Sequence, residues 1–139
     1  MRVLTFLVDQ FAWEPFSQTL PDAEPSPPSG EVRDAVVVFA HVEPKDVSEE
    51  RRAKVFRKAL KHVKWLANKR ELKAVVLHSF THLGAENAPP GEAARLLAEL
   101  AARLRETGYV VSMTPFGWFC GWSIAVRGES LAKVYKTLE

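Results

Sequence analysis

"DAVVVFAHVEP", Asp34–Pro44, carries six apolar residues in a row from Ala35 to Ala40, with three β-branched valines at its centre. Such a run suits a strand buried on both faces, and Pro44 and Asp46 end it. A strand of this kind needs covering layers, so it reads as part of the interior of an α/β domain. Upstream, "MRVLTFLVD", Met1–Asp9, has the same character and reads as a second buried strand. Between them lies "PFSQTLPDAEPSPPSG", Pro15–Gly30, whose five prolines predict a long loop or flap over the sheet.

Downstream, Ser48 opens a predicted helix, with Glu49 and Glu50 suited to the positive end of its dipole. Val55, Phe56, Ala59, Leu60, Val63, Leu66 and Ala67 recur at spacings of three and four, which makes one apolar stripe. "LKAVVLHSF" from Leu72 reads as a strand. Pro89 and Pro90 restart the chain as a helix that Gly108 ends. "YVVSMTPF" and "GWFCGWSIAVRG" read as two further strands joined through Pro115–Gly117, and Ser130–Leu138 as a short closing helix. The order β, flap, β, α, β, α, β, β, α predicts a single-domain α/β sandwich over residues 1–139. Its sheet is mixed, with helices packed on one face or both.

Composition agrees with this. The chain has 139 residues, 47% hydrophobic and 26% charged, enough for one core and too few for two. No apolar run approaches the roughly 20 residues of a membrane-spanning helix. The opening ten residues hold one basic residue and no small-residue cleavage site, so a signal peptide is not expected. Cys120 is the single cysteine, which excludes an internal disulfide and a cysteine-rich zinc site. A cytoplasmic protein without membrane contact is the simplest reading. Net charge is +2, yet Arg51, Arg52, Lys54, Arg57, Lys58, Lys61, Lys64, Lys69, Arg70 and Lys73 crowd one stretch. They are read either as contacts to phosphates or as the wet face of a helix. The glycine-rich dinucleotide fingerprint and the P-loop pattern are absent.

Two stretches carry the residue types that chemistry needs. "LHSFTHLGAENAPPG", Leu77–Gly91, ends a strand with His78 and His82. Apart from Glu86, no cysteine or paired carboxylate lies near enough in sequence to complete the three or four ligands that a metal site normally has. His78 reads as a packed or edge strand residue, and His82 either as a loop residue of the kind that carries function in α/β sheets or as a satisfied structural histidine. "TPFGWFCGW", Thr114–Trp122, gathers four aromatics, two glycines and Cys120 in nine residues. It is read either as flat walls for a base or ribose, or as a bulged core strand. Cys120 is either a nucleophile activated by a histidine or inert packing.

In order and spacing these pieces resemble the N-terminal editing domain of archaeal-type threonyl-tRNA synthetases, which shares its fold with the D-aminoacyl-tRNA deacylases. The likeness covers nearly the whole chain: "MRVL" and Asp9, "VVVFAHVE", "THLGAENAPPG", "LRETGYVV", "TPFGW" and "RGESLA". The family reads A-H-L-S-S-E-L-A-K-P in the loop and P-F-G-Y-Y-K after it. The resemblance implies a D-aminoacyl-tRNA deacylase-like fold and hydrolysis of serine wrongly esterified to threonine tRNA, that is, an aminoacyl-tRNA deacylase with no cofactor and no metal. It implies a pocket for the tRNA 3′ end in which His82 matches the loop histidine and Thr81 the residue before it. Trp118 and Phe119 match the tyrosine pair, Cys120 falls at the family's functionally important lysine, and Lys133 at its glutamate in the last helix. Asp9 joins them as a substrate-binding candidate, while the family's early histidine and serine are replaced by Leu7 and Val8.

The chain is thus expected to be a free-standing editing-domain-like protein, homodimeric as its relatives are, partnered by tRNA and by a separate threonyl-tRNA synthetase. A non-catalytic module of the same family is the alternative, because a thiol at 120 cannot donate to a tetrahedral intermediate as a lysine does. A thiol enzyme using Cys120 with His82 is a third class.

Overall fold

In the computed structural model, which describes every residue from Met1 to Glu139, the first strand is far longer than the opening apolar run. β1 extends over Arg2–Gln18, so the flap begins after Gln18 and not at Pro15. β2 (Gly30–His41) accompanies β1 antiparallel only as far as the Trp13–Gly30 pair. Beyond that point β1 keeps a single neighbour, β5 (Trp118–Val126), and Pro15 lies opposite Cys120 beside a register shift. A residue without an N–H is tolerated there because one side of the strand has nothing to pair with.

The interior strands follow the apolar runs. β3 (Ala74–Ser79) pairs parallel with β2, and β4 (Val110–Met113) parallel with β3. Parallel neighbours need crossovers, supplied by α1 (Arg52–Lys69) and α2 (Pro90–Glu106). The sheet runs β4-β3-β2-β1-β5, with β6 (Lys133–Thr137) paired to the first residues of β1. Both crossovers step the same way across the sheet, and both helices pack on one face. Val36, Val38, Leu77, Leu66, Leu96 and Leu100 meet there in a single buried cluster. Val8, Phe11, Trp13, Val37, Phe39 and Val76 form a second cluster on the opposite face, built from strand residues alone.

Two further expectations are corrected. Ser130–Leu138 is not a helix: a 3-10 turn, Ser130–Ala132, leads into β6, whose Val, Tyr and Thr side chains favour a pleated strand. Ser48 does not cap α1 with its hydroxyl, which donates to the Lys45 carbonyl in the turn that follows the 3-10 segment Pro44–Val47. Its own carbonyl instead accepts from the N–H groups of Arg51 and Arg52.

Asp9 marks a break in β1. The β1–β5 register shifts between Val8 and Gln10, and opposite Asp9 on β2 Asp34 has φ +49°, a left-handed conformation that aspartate accepts more readily than bulky residues. Arg127 ties the two together, Nε donating to Asp9 Oδ1 and an Nη to Asp34 Oδ1, each at 3.1 Å. At the other end of β1 the Met1 ammonium is buried, donating to Asp46 Oδ1 and, at 3.2 Å, to the Leu138 carbonyl.

α1 reaches the sheet through a buried polar contact. Thr5 Oγ1 donates to the Val134 carbonyl at 3.1 Å, so at 3.2 Å it accepts from His62 Nε2–H. His62 Nδ1 is left buried without a partner. Burial, with Lys136 adding repulsion, pushes the His62 pKa down from 6.5 to about 4. The unfolded chain therefore binds the proton more readily. The contribution of this neutral ring is complete above pH 6.5 and is lost as pH falls toward 4. Urea unfolding should show stability flat above neutrality and falling by on the order of 2 kcal/mol over that window because of this residue. His62→Gln should flatten the slope; an unchanged slope would refute the assignment.

Candidate functional site

The C-terminal ends of β2, β3 and β4 open onto one cleft of about 340 Å³. One wall is the loop after β3, which contributes Thr81 and His82; the other is the start of β5, with Trp118, Phe119 and Cys120. The two segments singled out in the sequence therefore face a common space, although they lie more than 30 residues apart. Pro90 and Ala93 from the first turn of α2 complete the lining, with Thr19 and Leu20 at the base of the flap.

Each wall is held by specific contacts. Phe80 N–H donates to the Ala40 carbonyl and Ala88 N–H to the Val42 carbonyl, tying both ends of the first loop to the end of β2. Between these ties stands the buried His41. Its Nδ1 accepts from Leu83 N–H at 3.1 Å, so its proton sits on Nε2, which donates to the Glu86 carbonyl at 2.9 Å. Gly84 lets the loop pass close to the Arg2–Glu43 pair, where a Cβ would lie 2.9 Å from Arg2 Nε.

The second wall is pinned to the flap. Gly117 has φ +83°, and its carbonyl accepts from Thr19 N–H at 2.7 Å and Leu20 N–H at 3.3 Å. Trp118 Nε1 donates to the Glu24 carbonyl at 2.9 Å. The Pro-rich segment is thus tied down along the edge of the cleft.

His78 forms the polar floor. It is packed inside the sheet, not at an edge, with Nδ1 2.8 Å from Thr114 Oγ1 and Phe39 at 4.8 Å between ring centres. Burial pushes its pKa down to about 4, so the ring is neutral at physiological pH. Cys120 has one polar contact, Sγ to the Trp118 carbonyl at 4.0 Å, and no hydrogen bond to either histidine. Burial pushes its thiol pKa up, which disfavours the thiolate a nucleophile needs. His82 is exposed, with its ring edge-on to Phe80 at 5.1 Å.

Asp9 and Lys133 are not brought to this cleft. Asp9 is occupied at the strand break by Arg127, and Lys133 Nζ reaches the carbonyls of Gly128 and Glu129 from a strand position opposite Phe6. Leu7 and Val8 are fully buried, one in each apolar cluster. Glu86 meets His41 only through its carbonyl, and nowhere do three metal-ligating side chains converge. The His78–Thr114 pair and the anchoring role of His41 were not foreseen. His41 ends the strongest apolar run in the chain, and a histidine there was the available signal.

A profile described as the archaea-specific editing domain of threonyl-tRNA synthetase matches residues 1–138. The chain belongs to this editing-domain family. Among curated relatives, the threonine–tRNA ligase of Methanopyrus kandleri is 30% identical over 139 residues, spanning 99% of this chain and 22% of its own length. That of Thermofilum pendens is 31% identical, spanning 100% of this chain and 23% of its own. The chain therefore covers under a quarter of the relatives it matches. Among solved structures, the c-Myc DNA unwinding element binding protein superposes with a TM-score of 0.67 over 99% of this chain and 98% of its own, at 12% identity. This likeness concerns the fold, which is the mixed α/β, D-aminoacyl-tRNA deacylase-like arrangement expected from the editing-domain motifs.

Gly117 gives a direct test of the wall geometry. A Cβ there would lie 2.8 Å from Ala23 Cβ on a backbone that L side chains rarely adopt. Gly117→Ala should cost about 1–3 kcal/mol and release the flap, seen as protease cleavage within residues 19–29. Resistance equal to that of the parent protein would contradict the pinned arrangement.

Proposed function

We propose that the cleft holds the aminoacylated 3′-terminal adenosine of a tRNA and hydrolyses its ester, with serine on threonine tRNA as the leading substrate. The observation that carries this reading is the shared cleft of Thr81–His82 and Trp118–Cys120 in a member of the editing-domain family. Its volume lies in the range of small-ligand pockets, and its aromatic walls suit a base while its polar floor suits an acyl group. His82 orients the adenosine or the attacking water, with Thr81, Trp118 and Phe119 as binding surface. Cys120 contributes packing rather than a thiolate. Asp9 and Lys133 lie outside the proposed contact set.

The basic side chains of α1 fit a role in holding the rest of the tRNA. α1 contains no acidic residue, and Arg57, Lys61 and Lys64 make no ion pair with any other part of the chain. The proposed partners are the tRNA 3′ end and a threonyl-tRNA synthetase. A specific observation keeps a second reading in view: with a protonated thiol at 120 and no hydroxyl on Phe119, the cleft could bind tRNA ends without turnover.

Incubation with seryl-, threonyl- and D-aminoacyl-tRNAs decides between them. Faster release of serine from threonine tRNA is expected. Salt-sensitive binding without release would establish the second reading, and neither would end both. Charge reversal at Arg57, Lys61 and Lys64 should weaken tRNA binding and lower its salt slope by about 1 for each phosphate left unengaged.

We further propose that two copies pair through the sheet face that lacks helices. Leu4, Phe6, Phe80 and Ile124 are only partly buried there, and Trp122 is exposed. A twofold pairing would set the same apolar patch against itself. Sedimentation equilibrium should give twice the chain mass of 15.6 kDa, falling to one chain in Trp122→Glu; a monomeric parent would refute it.

A further inference from the structure

His78 is the penultimate residue of β3, its ring set between Phe39 and Phe80 at 4.8 and 6.2 Å. The Thr114 hydroxyl has no partner other than His78 Nδ1. If Nδ1 carried the ring proton, the largely buried hydroxyl would have no acceptor within the protein for its own. The hydroxyl therefore donates to Nδ1, and the single proton of the neutral ring sits on Nε2. That nitrogen makes no hydrogen bond within the protein and is not sealed from solvent, and the ring is part of the cleft lining.

Other donors in the cleft are committed or loosely held. The indole N–H of Trp118 is bound to the Glu24 carbonyl, and a thiol such as Cys120 is a weak donor. His82 and Asn87 are exposed to water, and Trp122 lies on the face proposed above for pairing. His78 alone combines an open N–H with a buried, aromatic setting fixed from behind by a second side chain. A preoriented donor in such surroundings is worth more than one in water, and most where negative charge develops.

We infer that His78 Nε2–H is the hydrogen-bond donor the cleft presents to the carbonyl oxygen of an ester-linked acyl group, with Thr114 as the positioning residue that fixes the tautomer. This rests on the ester-hydrolysis reading. Water adds to the carbonyl carbon, and the oxygen held by Nε2–H takes up the negative charge. The bond from that carbon to the ribose oxygen then breaks, and the ribose oxygen takes the proton released by the water. One water is consumed, a carboxylic acid and a ribose hydroxyl are formed, and His78 keeps its proton throughout. A ring whose pKa lies near 4 is suited to this, since it stays neutral and neither gives up nor gains a proton in the working range.

The test combines spectroscopy with kinetics on the full chain. Nitrogen NMR of 15N-histidine-labelled protein should show His78 with Nδ1 bare and Nε2 protonated. The Nε2 signal should move on adding 3′-(L-serylamino)-3′-deoxyadenosine, a probe whose amide replaces the ester. With seryl-tRNA, His78→Leu should lower kcat about 100-fold with KM little changed. His78→Gln, which keeps an N–H donor, should recover a large part of that activity, and Thr114→Val should fall between. A parent protein that cleaves the ester while a folded His78→Leu matches its kcat overturns this inference alone. A parent that shifts Nε2 on probe binding but cleaves nothing supports the donor site and overturns the hydrolysis reading. Neither shift nor cleavage overturns both, and a bare Nε2 overturns the tautomer and the inference with it.

Discussion

One strand has to satisfy three others. β1 offers its N–H and C=O groups to β2 along one edge, and divides the opposite edge between β6 over Arg2–Phe6 and β5 over Val8–Gln18. The two meet along that edge at Leu7, and the irregularity at Asp9 lies two residues further on, inside the stretch paired with β5. An added residue sharpens local twist and bends the strand. Arg127, the first residue after β5, bridges the aspartates on either side of the bend. β5, and with it Trp118–Cys120, is placed by its pairing with β1 beyond this point.

The cleft is accordingly an assembly of loops fixed to a rigid frame. Its floor is made where parallel strands end, the usual location of ligand sites in sheets of this kind. His41 holds the loop after β3 through two backbone contacts, and Gly117 holds the flap through two more. Each is local; His41 stands outside the cleft lining, while Gly117 is part of it.

Much of this was legible in the residues. Long apolar runs predicted β2 and β3, and the three-and-four spacing predicted α1, because burial imposes those periods directly, while α2 was read from Pro89 and Pro90 at its start and Gly108 at its end. β6 was misread for a physical reason: Leu131, Val134, Tyr135 and Leu138 satisfy a helical spacing equally well, and pairing with β1 decided the outcome. Pro15 misled in the same way, since a proline forbids a strand only where its missing N–H is needed. The cleft walls were legible because loops rich in glycine, histidine and aromatics gather at strand ends. Asp9 and Lys133 were not, since a likeness in chain order says nothing of which way a bent strand turns its side chains. The His78–Thr114 pair joins residues 36 apart through strand register alone, which no local pattern encodes.

The two ends of the molecule are neighbours: Met1 N–H donates to the Leu138 carbonyl, and Leu138 N–H to that of Met1. β1 and β6 run antiparallel from that point, with their bonds lying across the strands. A pull applied to both ends would load these bonds one at a time, as a zipper opens, rather than all together in shear. The protein should yield to mechanical tension at low force, peeling β6 away first and handing Thr5 and His62 back to water while the sheet from β4 to β5 still stands.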